Sequence, residues 1–206
     1  MTRLLPAFVM RRPRLTNVLH AMHLTPAQSN TTRAELECLA RHARGRRCAI
    51  EIGTHMGVSA VVIAKALRDD GLLFCVDPWE KRHRLENPSF LICRRELRRN
   101  GLEESVRFKR GTSVEVQHLL PVNADFIFVD GDHSREGIAT DWRIVQAVLG
   151  LGGIACFHDT SVVPGFAGPP LDSVAYFRDV IRKHSSFELI ETCETLNVLR
   201  RRQDSV

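Results

Sequence analysis

The residues best equipped for chemistry fall at the ends of apolar runs. Glu51 lies in the run Ala49–Ile52, two residues before Gly53, and Gly57 follows four residues later. Asp77 closes the run Leu72–Val76, and Gly111-Thr112-Ser113 closes Val106–Lys109. Asp130, Asp132 and His133 follow the run that begins at Asp125, and His158 and Asp159 follow Ile154–Phe157. A carboxylate accepts from two hydroxyls of a diol at once. An imidazole exchanges a proton near neutral pH. A glycine turn that opens a helix brings a ligand close to free backbone N–H groups. Such groups predict a nucleotide-like ligand at the carboxyl ends of parallel strands, with a proton acceptor beside it. For a single acid the plain alternative is a turn or helix cap. Asp132 in particular can cap the helix that follows, with His133 in its first turn.

The elements that would position these groups alternate regularly. Strands are expected at Cys48–Ile52, Leu72–Val76, Val106–Lys109, Asp125–Asp130 and Ile154–Phe157. Phe187–Glu191 and Leu196–Arg200 read as a closing pair around a turn at Thr192–Thr195. Between them the apolar spacing predicts helices from Thr32 to Ala43, Val58 to Arg68, Phe90 to Arg99, Ser113 to Leu120, Ser134 to Leu149 and Ser173 to His184. Glu35 completes a capping box with Thr32. Residues 80–90 and 161–170 read as loops, the latter holding three prolines and two glycines. The fold class is therefore α/β, a three-layer Rossmann-like sandwich on a mainly parallel seven-stranded sheet with a closing antiparallel pair. Residues 31–206 form this domain, and residues 1–30 an N-terminal arm lying on the domain or on a partner subunit. In the latter case the protein is a homo-oligomer.

At 206 residues the chain suits one well-buried domain. A net charge of +5 admits an anionic partner, but the arginines come in short separate bursts without interleaved aromatics. They read as solvated faces, so nucleic acid is not the expected partner. Six scattered cysteines without a C-x-x-C pair argue for a reducing, cytoplasmic location and against a zinc ribbon or disulfide scaffold. No run approaches the length of a membrane span. The apolar stretch Leu4–Met10 precedes its arginines, the wrong order for a secretory leader.

The turn Glu51-Ile52-Gly53-x-x-x-Gly57 resembles the acid–glycine signature of class I S-adenosylmethionine-dependent methyltransferases. Val76-Asp77-Pro78-Trp79, Phe128-Val129-Asp130-Gly131-Asp132-His133-Ser134 and Gly152-Gly153 leading to Phe157-His158-Asp159 extend the likeness. These motifs are most similar to the macrocin-type O-methyltransferases and cephalosporin-hydroxylase-like proteins. The resemblance implies that Glu51, Gly53 and Gly57 line the methionine end of S-adenosylmethionine, with Ser59 nearby. It implies Asp77 on the ribose, Thr112 and Ser113 near the adenine, and Asp130 beside the sulfonium.

In metal-dependent members of these groups, acids at the ends of the fourth and fifth strands hold magnesium. The likeness thus implies a metal set of Asp130, Asp159 and His158. His158 stands where a second consecutive acid is usual, and imidazole suits manganese, iron or zinc better than magnesium. Magnesium or manganese is the expected ion, a metal-free site the alternative. His133, or Asp132, is the expected base for a small-molecule acceptor hydroxyl. Three rivals share parts of this reading. A nicotinamide-dependent oxidoreductase would want G-x-G-x-x-G at the first turn. An RNA-binding or RNA-modifying module would use the arginine bursts. A non-catalytic scaffold would keep only the fold.

Overall fold

The computed structural model describes residues 12–80, 85–162 and 171–202. In chain order these form helix α1 (Pro13–Ala21), α2 (Arg33–Ala43), strand β1 (Cys48–Ile52), α3 (Val58–Ala66) and β2 (Leu72–Asp77). Next come α4 (Pro88–Arg99), β3 (Val106–Arg110), the short α5 (Ser113–Val116), β4 (Ala124–Val129), α6 (Arg135–Val148) and β5 (Leu149–Phe157). Helix α7 (Asp172–Asp179) and the pair β6 (Phe187–Cys193) and β7 (Leu196–Arg201) close the chain.

The strands make one seven-stranded sheet in the order β3-β2-β1-β4-β5-β7-β6. The first five pair in parallel, and β7 pairs antiparallel with both β5 and β6. This is the expected sandwich. The period-two alternation of side chains divides its core. Phe126 and Phe128 pack with α2, α3 and α4 on one face. Ile127 and Val129 pack with Ile138, Trp142 and Val145 of α6 on the other. The strand order reverses between β1 and β4, and a crevice opens there at the carboxyl ends of the strands.

Several boundaries differ from the sequence reading. Strand β5 begins at Leu149, not Ile154. Leu149 pairs with Ala124, the ladder slips, and pairing resumes at Phe126 with Ile154. The early part of the strand is hidden because Gly150, Gly152 and Gly153 read as a turn ahead of Ile154. The last helix stops at Asp179, and a separate 3-10 turn spans Ile181–Lys183. Strand β6 runs on to Cys193, so the closing turn shrinks to Glu194 and Thr195.

The described part of the arm lies on the domain. Helix α1, opened by Pro13 at its first position, packs on α4. Its contact is polar: His20 is fully buried, with Nε2 3.0 Å from Glu96 and Nδ1 2.9 Å from Arg95. Arg95 also donates to Asn17. The apolar stretch Leu4–Met10 and most of the 161–170 loop lie outside the described residues.

Candidate active site

The first turn is shaped by its neighbours in the protein. Gly53 has φ 92°, and a Cβ there would lie 1.9 Å from the Asp130 carbonyl oxygen. Only glycine lets the ends of β1 and β4 come this close. Gly57 has φ 81°, and a Cβ there would meet the Cys93 sulfur at 2.7 Å. Its smallness therefore serves the packing of α3 against α4, and it does not line the crevice.

Glu51 is also off the crevice wall. It points into the α3–α4 face of the core and is fully buried. Burial pushes its carboxyl up to about 7, against the nearby hydroxyls of Ser59 and Thr54, which favour the charged form. Neither hydroxyl comes within hydrogen-bond distance of Oε1, so among the described residues Glu51 Oε1 and Thr54 Oγ1 have no hydrogen-bond partner. Such orphans beneath a crevice leave room for a donor from a ligand or a water.

On the β2 side, Asp77 faces the crevice while its oxygens organise the turn. Oδ2 accepts from the His55 N–H at 2.8 Å and Oδ1 from the Trp79 N–H at 2.9 Å. The Trp79 indole donates to the His55 carbonyl at 2.8 Å. Each carboxylate oxygen keeps a further lone pair for a hydroxyl. His55, Trp79 and Asp159 all have positive φ, and all stand at strand ends around this edge. Strained non-glycine backbone of this kind clusters at ligand sites.

Thr112 caps α5 in a capping box with Glu115. Ser113 donates to the buried Asp141 at 2.5 Å. Burial raises the Asp141 carboxyl to about 6, against the Ser113 hydrogen bond. Asp141 lines the crevice with Thr112 and Ser113, and no sequence signal marked it. It lies mid-helix, where an acid reads as solvent-facing.

The opposite end of the crevice is acidic. Asp130, His133 and Asp159 bring one oxygen, one nitrogen and one oxygen within 4.8 Å of one another. His133 Nε2 lies 3.7 Å from Asp130 and 3.6 Å from Asp159. His158, expected among the ligands, sits one layer below. It is buried, with Nδ1 2.9 Å from Asp130 and Nε2 3.2 Å from Glu35. Burial opposes its charge, but the bonds to Asp130 and Glu35 prevail and raise it to about 10. Its Nδ1 also lies 3.6 Å from Asp159, as close as His133 does. Both of its ring nitrogens are engaged, by Asp130 and Glu35, so His158 steadies Asp130 from behind and the partly exposed His133 is the more open imidazole of the cluster.

Glu35 anchors that support. It keeps its expected cap bond with the Thr32 N–H, and also accepts from Thr195 and meets His158. Burial would raise its carboxyl, yet His158, Thr195 and the Thr32 N–H hold it at about 2. Asp132 does not cap α6, and His133 lies ahead of the helix rather than in its first turn: the N-cap is Ser134, which accepts from the Gly137 N–H. Asp132 instead accepts from the Ser134 N–H at 2.9 Å and hydroxyl at 2.8 Å. Those bonds lower its carboxyl, against the small penalty of burial, and make it a poor base.

A single crevice of about 650 Å³ joins the two ends. Gly53, Ser59, Asp77, Thr112, Ser113, Asp130, Asp132, His133 and Asp159 all line it, whereas Glu51, Gly57 and His158 do not. Gln28, Ser29 and Asn30, which join α1 to α2, form part of its rim. The volume falls in the range of small-molecule and cofactor sites.

Fold and crevice together define a Rossmann-like α/β protein with a nucleotide-type site at its switch point. Residues 50–160 match the family described as methyltransferase domain, and the chain belongs to that family. It is 31% identical over 152 residues to tricin synthase 1 of Oryza sativa subsp. japonica, covering 69% of this chain and 57% of that protein. It is 29% identical over 142 residues to caffeoyl-CoA O-methyltransferase of Mesembryanthemum crystallinum, covering 64% and 52%. The chain thus spans about half the length of the curated relatives it matches. In fold it resembles the O-methyltransferase TomG of Streptomyces achromogenes, solved in complex with SAM. That match has a TM-score of 0.69 at 17% identity, over 93% of this chain and 90% of that one.

Proposed function

We propose that this chain is an S-adenosylmethionine-dependent O-methyltransferase acting on a small-molecule hydroxyl with the help of a divalent cation. One observation carries the reading: a diol-binding carboxylate, Asp77, and a proton-accepting and cation-binding group, Asp130, His133 and Asp159, face one crevice across Gly53. The names of the relatives support the chemistry.

The bound cofactor would supply an electrophilic methyl on sulfur, so the chain has only to bind, orient and deprotonate. Asp77 would hold the ribose hydroxyls, and Ser113 with Asp141 the adenine end. The orphan oxygens of Glu51 and Thr54, just beneath the crevice, would suit the ammonium of the methionine end through a water. His133 would take the acceptor proton at Nε2. Asp130 and Asp159 would hold a cation that orients the acceptor oxygen, with His133 close enough to serve as a third ligand when it is not the base. A set of two oxygens and one imidazole nitrogen suits manganese better than magnesium. The acceptor would enter beside Gln28–Asn30.

Two further expectations belong to the same proposal. The cytoplasmic assignment is supported by six unpaired cysteines. No helix among the described residues is long and apolar enough to cross a membrane. The absence of a nucleic-acid site is supported by arginines already engaged within the fold, such as Arg95, Arg98 and Arg99.

A thermal-shift panel tests the reading against its rivals. S-adenosylhomocysteine and S-adenosylmethionine should raise the melting temperature, since a ligand of the native state stabilises it. NAD and NADP should not. A rise with NAD alone would replace the proposal with the oxidoreductase reading.

A further inference from the structure

A second group of ligand-bearing side chains lies outside the crevice, where α2 meets the edge strand β6. Cys38 and His42 are four residues apart on α2 and so share one face. Glu191 reaches them from β6. The Cys38 sulfur, a His42 ring nitrogen and a Glu191 oxygen all lie within 4.8 Å of one another. None of the three has a part in the proposed reaction.

The geometry points to a structural binding site for a zinc-class divalent cation, held by Cys38, His42 and Glu191. A thiolate, an imidazole and a carboxylate form the donor set that zinc prefers, whereas magnesium and calcium seek oxygen alone. The set is already drawn together: His42 Nε2 lies 2.8 Å from Glu191 Oε2. Arg41 lies 2.5 Å from the other oxygen, Oε1, and so fixes the carboxylate without occupying the oxygen that faces His42. Cys193, two residues further along β6, packs against the same buried cluster as Cys38. Water can complete the tetrahedron, since His42 and Glu191 are only partly buried.

The metal-free state has its own chemistry. Burial pushes the Cys38 thiol up to about 12. A cation would displace that proton to solvent and open the His42–Glu191 bond, because ligands must bind deprotonated. In return it would tie α2 to the edge strand. Helix α2 also carries Glu35, whose bonds steady His158 behind Asp130. The site would therefore stiffen a support of the crevice without touching it.

Cobalt(II) titration of the chelator-stripped full chain tests this. The expected result is a near-ultraviolet thiolate-to-cobalt charge-transfer band that saturates at one equivalent and is abolished by zinc. The Asp130, His133 and Asp159 group holds no sulfur, so metal bound there cannot produce the band. Cys38→Ser should lose it, and His42→Ala and Glu191→Gln should weaken cobalt binding at least about tenfold. Zinc should raise the melting temperature of the wild type by more than that of His42→Ala, in which only the crevice group is left to bind it. Should Cys38→Ser fail to fold, the two partly exposed variants carry the test. Absence of the band in the wild type, or its persistence at full affinity in His42→Ala and Glu191→Gln, would overturn the site. Either outcome leaves cofactor binding in the crevice untouched.

Discussion

Glu51 gives the sharpest quantitative prediction, because its environment is unambiguous. The carboxyl is fully buried, and its Oε1 has no partner among the described residues. Its affinity for a proton rises from the ordinary 4.5 to about 7. A group whose folded value is raised favours folding when protonated. Its contribution is intact below about 4.5 and is lost as pH climbs through about 7. The interval between these values, at about 1.4 kcal/mol per pH unit, corresponds to roughly 3 kcal/mol. For a chain of this size that is roughly 6–12 °C in melting temperature. Glu51→Gln removes the titration and keeps the shape. Its absolute stability depends on how the amide is satisfied, but its pH dependence does not. The measurement is the difference in unfolding free energy between wild type and Glu51→Gln at pH 5 and pH 8.5, by urea denaturation without cofactor. The variant should gain roughly 2.5 kcal/mol relative to wild type across that interval, since part of the effect is already lost by pH 5. Parallel profiles for the two proteins would show that Glu51 ionises freely, through water or a rearranged turn, and would refute the burial argument.

Other outcomes follow from the same geometry. His133→Ala should abolish turnover while leaving S-adenosylhomocysteine affinity within a few-fold of wild type. Asp132→Asn should retain turnover and melt close to the wild type, since the cap of α6 is Ser134 and the Asn carbonyl can still accept from the Ser134 N–H, as a paired activity assay and melt would record. Gly57→Ala should destabilise by about 2–4 kcal/mol, since a positive φ and the Cys93 contact both oppose it; an unchanged melt would contradict the packing role. Arg95→Ala should loosen α1, seen as faster amide exchange over residues 13–21, and a filter-binding assay should show no tight, salt-sensitive RNA binding to lose.

The fold was legible because its signals are local. Runs such as Phe126–Val129, apolar at every position, announce buried parallel strands, and Thr32 with Glu35 announces a helix start. Asp77, Asp130 and Asp159 could be placed at the sheet edge because an acid directly after an apolar run, or one residue beyond it, falls there. What stayed hidden depends on contacts between distant segments. Glu35 meets His158 across 123 residues, so its cap role was visible and its support of Asp130 was not. Asp141 reaches the crevice because α6 turns one mid-helix side chain toward Ser113. Gly57 fitted a ligand motif, yet the atom that forbids a side chain there belongs to Cys93. His158 and His133 could not be ranked from spacing, because which one is buried with both ring nitrogens engaged depends on Glu35.

The central claim is that the crevice binds S-adenosylmethionine through Asp77, and calorimetry with S-adenosylhomocysteine tests it most directly. The wild type should bind with one-to-one stoichiometry. Asp77→Ala should bind roughly 10- to 150-fold more weakly, the loss of one hydrogen bond to a charged acceptor at about 1.5–3 kcal/mol. No heat of binding in the folded wild type, or undiminished affinity in Asp77→Ala, would contradict the account.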